Sequence, residues 1–376
     1  MSVLHTPYGG PVSHPHAVGL LRRMLEIESP SYQEDRIGAY LVQEMKTLGY
    51  DRAWIDDAGN AIGVIDRGPG PVVMLLGHMD TVEGEVPVRI ESDRLFGRGA
   101  VDAKGPLATM ICAAASAADF RGTVIVVGAV EEETPGSRGA MEIRRTHSRP
   151  DALVIGEPSG WNTVVLGYKG KLDLTYRVQV EATHPSNPLP KASELAADAW
   201  QQLLDLLGPD AGHGSFDTPG PTLVSFTGDL VTARAEFSIR TPIGFDDTTL
   251  VRQLRERLPQ GEVEVVNAVR AVRTTRTDPV VRALARGIRA HDERPTMKVK
   301  TATSDMNTLA EVWDIPMATY GPGDSRLDHA DDEHILLSEY FNGIRVLTSA
   351  LEQLSDAGSP LPTARPAALT LAGATA

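Results

Sequence analysis

His78 and Asp80 stand two positions apart at the end of the apolar run 72–77, and Asp102, Glu132, Glu133, Glu157 and His329 follow along the chain. Imidazole and carboxylate donors with no cysteine among them suit a catalytic pair of Zn2+ ions, with Co2+ or Mn2+ as substitutes. Asp102 comes after Gly97-Arg98-Gly99 at the opening of a helix, where a carboxylate can give one oxygen to each of two ions. Ions bridged in this way sit about 3.5–4 Å apart and share one activated water. Asp80 can orient His78 from the side away from the metal. Met singly, any of these residues reads as a solvated loop side chain. As a set they do not, because they fall after successive strand-like runs with Gly-rich turns beside them.

The elements that must position them alternate. Apolar runs at 72–76, 123–130 and 151–155 predict strands, and 103–118 and 137–146 predict helices. Strand–helix alternation implies an α/β fold with a mostly parallel sheet, and ligands bind such open sheets beyond the carboxyl ends of the strands. That is the address of His78, of Glu132 and Glu133, of Glu157, and of His329 in the loop beyond Tyr320. Ahead of them, 17–48 has helical apolar spacing (Leu20, Leu21, Met24, Leu25, then Ile37, Leu41, Met45, Leu48) broken near Ser29-Pro30, hence two helices.

After Gly167 the texture changes. Residues 172–180 alternate as a half-buried antiparallel strand. A helix at 193–207, strands near 222–240, a helix at 248–258 and a strand at 263–269 complete an inserted α+β unit. The α/β pattern resumes with a helix at 279–291, a strand at 315–320 and a helix at 338–354. The expected organisation is a catalytic domain of 1–166 and 276–376, interrupted by an inserted domain of 167–275. The Ala-, Pro- and Thr-rich stretch 357–376 reads as a disordered tail.

Composition narrows the partners. A chain of 376 residues, 41% hydrophobic, exceeds the size at which one core stops growing, about 250–300 residues. Its net charge of −14 argues against nucleic acid, which is held by clustered Lys and Arg. Residues 1–16 lack a signal-peptide pattern, and no apolar stretch approaches the roughly 18 residues of a membrane span, so the expectation is a soluble, cytoplasmic protein with no membrane partner. The single cysteine, Cys112, lies in an Ala-rich segment and reads as buried packing. No G-x-G-x-x-G opens the helix after the first strand, which excludes a Rossmann dehydrogenase.

Four stretches carry a resemblance: Gly77-His78-Met79-Asp80-Thr81, Gly99-Ala100-Val101-Asp102-Ala103-Lys104-Gly105, Glu131-Glu132-Glu133-Thr134 and Gly156-Glu157-Pro158-Ser159. They resemble the metallopeptidase family of acetylornithine deacetylase and succinyl-diaminopimelate desuccinylase, across nearly the whole chain. The resemblance implies a zinc-peptidase type catalytic domain in which His78, Asp102 and Glu157 hold one zinc and Asp102, Glu133 and His329 the other. Glu132 is then the general base. The inserted unit becomes a dimerisation (lid) domain of a homodimer, in which His184 reaches the partner subunit's site and stabilises the oxyanion; Pro185 stands where relatives have a small residue. Arg240, Asp305 and Gly323 are the implied substrate contacts. Relatives often carry an Asn in the loop before the Arg240 strand; this chain has Gly228-Asp229, and that role is not carried over.

Within the family, three further stretches are most similar to hydrolases that release lysine or ornithine from the glutamyl side chain of an acidic amino-group carrier protein in lysine and arginine biosynthesis. They are Tyr320-Gly321-Pro322-Gly323-Asp324-Ser325-Arg326-Leu327-Asp328-His329, Thr303-Ser304-Asp305-Met306-Asn307 and Gly167-Tyr168-Lys169-Gly170. A neighbouring reading is a deacetylase of N-acetyl-ornithine or N-acetyl-lysine, or a dipeptidase. A metal-binding scaffold without catalysis would have no need of Glu132. An acidic carrier requires a local basic surface, and 252–300 carries twelve Lys or Arg, Arg270, Arg273 and Arg276 among them, against six acids. That stretch is the expected docking face.

Overall fold

The computed structural model describes residues 12–356; the stretch 357–376, expected to be disordered, lies outside them. Two helices open the described chain, His14–Glu26 and Asp35–Thr47, matching the two apolar stripes. Ser13 caps the first by accepting from His16 N. Leu20, Leu21, Met24, Leu25, Ile37, Leu41 and Met45 are all buried.

The large sheet has nine strands. Its order is Arg52–Ile55, Ala61–Asp66, Thr123–Ala129, Val72–His78, Ala152–Gly156, Met317–Thr319, Thr163–Tyr168 and Val272–Arg273, with Thr296–Lys300 also paired to Thr163–Tyr168. The centre is parallel: Gly77 stands in register with Gly128 on one side and Gly156 on the other, so three carboxyl ends finish side by side. A parallel centre is covered on both faces, and Val73, Met74, Leu75 and Leu76 are accordingly all buried. Helix Lys104–Ser116 is buried along its whole length and apolar nearly all round, as a helix enclosed on every side must be. The edge strand Arg52–Ile55 and its neighbour Ala61–Asp66 were not apparent from apolar runs. The second pairs without a break through Gly63, where a Cβ would stand 2.3 Å from Met45 Sδ.

A separate four-stranded antiparallel sheet runs Gly220–Gly228, Thr232–Thr241, Gly170–Gln179, Gly261–Val269. Helices Ala192–Leu207 and Asp247–Arg257 pack on it around Leu174, Tyr176, Leu203, Phe237 and Leu254, a core distinct from those of the large sheet. This sheet starts at Gly170 and ends at Val269, inside the 167–275 expected of the insert. Thr163–Tyr168 stays in the large sheet, and Val272–Arg273 returns to pair with it antiparallel. The close return requires glycine at 167, where a Cβ would meet Val272 O at 2.1 Å. A small third sheet joins His334–Leu336, Arg94–Phe96 and Arg89–Glu91, and the final helix Leu337–Asp356 packs on Lys104–Ser116.

Candidate active site

His78 ends its strand with its side chain 2% exposed. Its Nδ1 lies 3.0 Å from the backbone carbonyl of Asp80 and 3.5 Å from the Asp80 carboxylate. Nε2 therefore faces Asp102 Oδ1 at 3.1 Å and Glu157 Oε1 at 3.7 Å. The second oxygen of Asp102, Oδ2, is 3.1 Å from His329 Nε2, which is 3.0 Å from Glu133 Oε1. Asp102 thus belongs to two triads: His78, Asp102 and Glu157, and Asp102, Glu133 and His329. In each, the donor atoms lie within 4.8 Å of one another. The helix itself starts at Lys104, so Asp102 sits on the preceding loop rather than inside the helix.

Buried carboxylates hold the loops that carry these donors. Asp80, fully buried, accepts from the backbone nitrogens of Glu132 and Glu133, both at 3.1 Å, and from Ser31 Oγ at 2.8 Å. Glu131 takes a left-handed conformation, φ 56°, which turns the chain off the strand end and brings two consecutive amides to Asp80. Glu34 accepts from Glu131 N at 3.1 Å. Glu333, also fully buried, accepts from Val101 N at 2.8 Å and Asp102 N at 3.1 Å on Oε1, and from Gly99 N at 3.0 Å and Arg98 Nη1 at 2.9 Å on Oε2. Sequence reasoning missed Ser31, Glu34 and Glu333. The one signal for Glu333 is that it closes the acidic run Asp331-Asp332-Glu333 just beyond His329.

The electrostatics follow from crowding acids out of water. Burial, then repulsion from Glu157, raises Glu132 well above the ordinary carboxylate range. Burial, then Asp102, pushes Glu157 up to about 8. The hydrogen bond to Asp102 holds His329 up, to about 9. For Asp102, burial acts upward, but the hydrogen bonds from His329 and His78 outweigh it and keep the carboxyl low. Carboxylates converging on two imidazoles, with no thiol, fit a pair of divalent cations that accept nitrogen and oxygen donors.

A cleft of about 570 Å³ opens on these donors, and Glu132 lies in its wall. Of the other anticipated residues, Arg240 lines the cleft and donates from Nη1 to Thr303 Oγ1 at 3.1 Å. Asp305 begins helix Asp305–Ala310, buried, and its Oδ1 has no hydrogen-bond partner among the described residues. Gly323 is buried beside Val101 and donates its N–H to Glu339 Oε2. Neither Asp305 nor Gly323 lines the cleft. His184 sits in an exposed loop with Nδ1 2.7 Å from Ser186 Oγ, outside this chain's own cleft.

Residues 74–353 match the sequence pattern of peptidase family M20/M25/M40. The chain belongs to this family. A [LysW]-lysine hydrolase of Deinococcus radiodurans is 42% identical over 359 residues, covering 89% of this chain and 96% of that protein. A tripeptidase of Staphylococcus aureus matches the fold with a TM-score of 0.78 at 18% identity, over 92% of this chain and 100% of the other. A dinuclear metal-binding M20 peptidase of Bacillus subtilis matches with a TM-score of 0.67 at 12% identity, over 91% and 98%. As an M20 peptidase, this chain is a metal-dependent hydrolase of amide bonds. No helix among its described residues is long and apolar enough to cross a membrane.

Proposed function

We propose that this M20 peptidase releases L-lysine or L-ornithine from the C-terminal glutamyl side chain of an acidic amino-group carrier protein, in the cytoplasm, in lysine or arginine biosynthesis. The observation that carries the substrate is the 42% identity, over 89% of the chain, to a protein named for hydrolysing [LysW]-lysine. The reaction itself rests on Asp102 facing two histidines beside the half-buried Glu132 in the cleft wall.

Two Zn2+ are the proposed ions, one for His78, Asp102 and Glu157 and one for Asp102, Glu133 and His329, with Co2+ or Mn2+ able to substitute. When bound, such ions polarise the scissile carbonyl and acidify water. Asp80 keeps Nδ1 of His78 engaged, which leaves the Nε2 lone pair for an ion. Glu132 takes the proton of the attacking water and delivers it to the departing amine nitrogen. Arg240 receives a substrate carboxylate. The unit around the antiparallel sheet is the proposed dimerisation and lid domain, bringing His184 to the cleft of a second copy, where its N–H stabilises the oxyanion. Asp305 and Gly323 would then shape the substrate site from outside the cleft wall.

Within 252–300 the proposed docking face centres on the arginines that adjoin the cleft. Arg252 is engaged by Glu256 and Arg255 by the carbonyl of Val263. Arg270, Arg273 and Arg276 are exposed and follow Val269, which lines the cleft; among the described residues the Arg273 side chain has only the exposed Asp217 at 3.7 Å and the Phe216 ring as partners. These three arginines are the proposed contact for the acidic carrier. The test is a hydrolysis assay of the purified protein on the carrier conjugate, N-acetyl-lysine and N-acetyl-ornithine, with metal content measured on the same sample. Faster turnover of the conjugate supports the reading; turnover of the N-acetyl compounds alone replaces it with a deacetylase. Charge reversal at the three arginines should slow the carrier substrate in a salt-dependent way, and unchanged turnover at every ionic strength removes the docking face.

A further inference from the structure

The charged groups of the cleft divide by whether they are already engaged. Asp102, Glu133, Glu157 and His329 belong to the donor set, and Glu132 to the chemistry. Arg144 is paired with Glu311 at 2.7 Å and Lys171 with Asp173 at 2.9 Å. Two cations and one anion are left over. Arg240 donates to a neutral hydroxyl. Lys300 stands over the Tyr168 ring at 6.0 Å. Asp328 precedes His329 in the cleft wall, and its buried Oδ1 has no hydrogen-bond partner among the described residues. Among those residues, no ion pair within 4.0 Å engages Arg240, Lys300 or Asp328. A buried carboxylate oxygen without a donor is unfavourable unless a ligand supplies one.

The conjugate of the proposed function has the same inventory with the signs reversed. Around its scissile amide it carries the α-carboxylate of the terminal glutamate, the α-carboxylate of the amino acid to be released, and one ammonium at the end of that amino acid's side chain. We propose that Asp328 receives this side-chain ammonium, while Arg240 and Lys300 receive the two carboxylates. The inference rests on the proposed function and adds the specificity residue to it. A carboxylate fixed in the wall acts as a ruler: three or four methylenes, the difference between ornithine and lysine, set the span from the scissile nitrogen to the ammonium. A cleft built to pair with that charge discriminates strongly against an analogue lacking it.

The test compares γ-glutamyl conjugates of lysine, ornithine and norleucine, the last being lysine without its ammonium, on the native enzyme and on Asp328→Asn and Asp328→Glu, each checked for metal content. The native enzyme should favour lysine over norleucine in kcat/KM, and Asp328→Asn should cut that ratio by about 10- to 100-fold, as expected for one charge-assisted hydrogen bond. Asp328→Glu, reaching one methylene further, should restore the preference for a cationic side chain and shift it from lysine toward ornithine. If Asp328→Asn slows the lysine and norleucine conjugates by the same factor, or the native enzyme does not distinguish them, the assignment is overturned. If the enzyme cleaves N-acetyl but not γ-glutamyl compounds, the proposed function fails separately. The same ratio on N-acetyl-lysine and N-acetyl-norleucine then decides the role of Asp328.

Discussion

Glu333→Gln keeps the shape of a fully buried side chain and changes only what it can accept. In the native chain Oε1 accepts from Val101 N at 2.8 Å and Asp102 N at 3.1 Å, and Oε2 from Gly99 N at 3.0 Å and Arg98 Nη1 at 2.9 Å. A glutamine oxygen can serve one of these pairs, and its amide nitrogen then meets the other pair donor to donor. Each buried donor left without an acceptor costs about 1–3 kcal/mol, so two lost bonds cost about 2–6 kcal/mol. That is a large share of a domain's total of about 5–15 kcal/mol. The loop that shifts in response carries Asp102, whose two oxygens must each stay opposite a histidine. Losing such an outer partner lowers metal affinity about 10- to 100-fold, equivalent to about 1.4–2.7 kcal/mol. Both ions should weaken together, because Asp102 belongs to both triads. Competition against a chromogenic chelator gives stoichiometry and affinity for Zn2+, and thermal unfolding of the chelated protein gives the stability loss. A variant that melts early yet binds two ions with native affinity refutes the reasoning, as does one that weakens a single ion.

Glu132→Gln should keep both ions and lose about 100- to 10,000-fold in kcat, the usual contribution of a positioned general base; near-native turnover with metal content unchanged would remove Glu132 from the mechanism. The chelated protein should lose stability as pH rises. Glu157, pushed by burial and Asp102 to about 8 from an ordinary 4.5, and His329, held by Asp102 at about 9 from 6.5, both keep a proton in the folded chain that the unfolded chain has released. Metal binding requires those protons to leave, so the gap in melting temperature between zinc-loaded and chelated protein should widen from pH 6 to pH 9; a gap that narrows contradicts this. Gly321→Ala places a Cβ 2.7 Å from the carbonyl oxygen of Glu157 and 2.8 Å from Pro106 Cβ. It should loosen the ion of the His78 triad first, and metal analysis finding both ions held as in the native protein would count against that. His184→Ala should lower kcat with little change in metal content, and activity should recover in mixed dimers with a Glu132→Gln chain, which supplies His184 to the intact Glu132 site; absence of recovery argues against a shared site.

Legibility in the sequence followed the range of the interaction. Helices His14–Glu26 and Asp35–Thr47 were readable because a one-sided apolar stripe is a local pattern. So was the central strand Val72–His78, apolar throughout because it is enclosed on both faces. Thr163–Tyr168 escaped notice although it too is buried, since its partners Met317–Thr319, Val272–Arg273 and Thr296–Lys300 come from distant parts of the chain. Ser31, Glu34 and Glu333 were invisible for the same reason: Ser31 acts through the distant Asp80 carboxylate, and Glu34 and Glu333 through backbone N–H groups far away in sequence.

Donor types and their strand-end addresses are properties of short segments, and His78, Asp102, Glu132, Glu133, Glu157 and His329 could be named from the chain alone. How they meet could not. The two oxygens of Asp102 face different histidines because Thr123–Ala129 and Ala152–Gly156 flank Val72–His78 in the sheet, an order that differs from their order in sequence, and because the loop after Met317–Thr319 returns His329 to the same edge. The grip of Glu333 on the Asp102 loop and the uncommitted Asp328, Arg240 and Lys300 arise in the same way. Strand order and loop return set distances between residues that no local period relates.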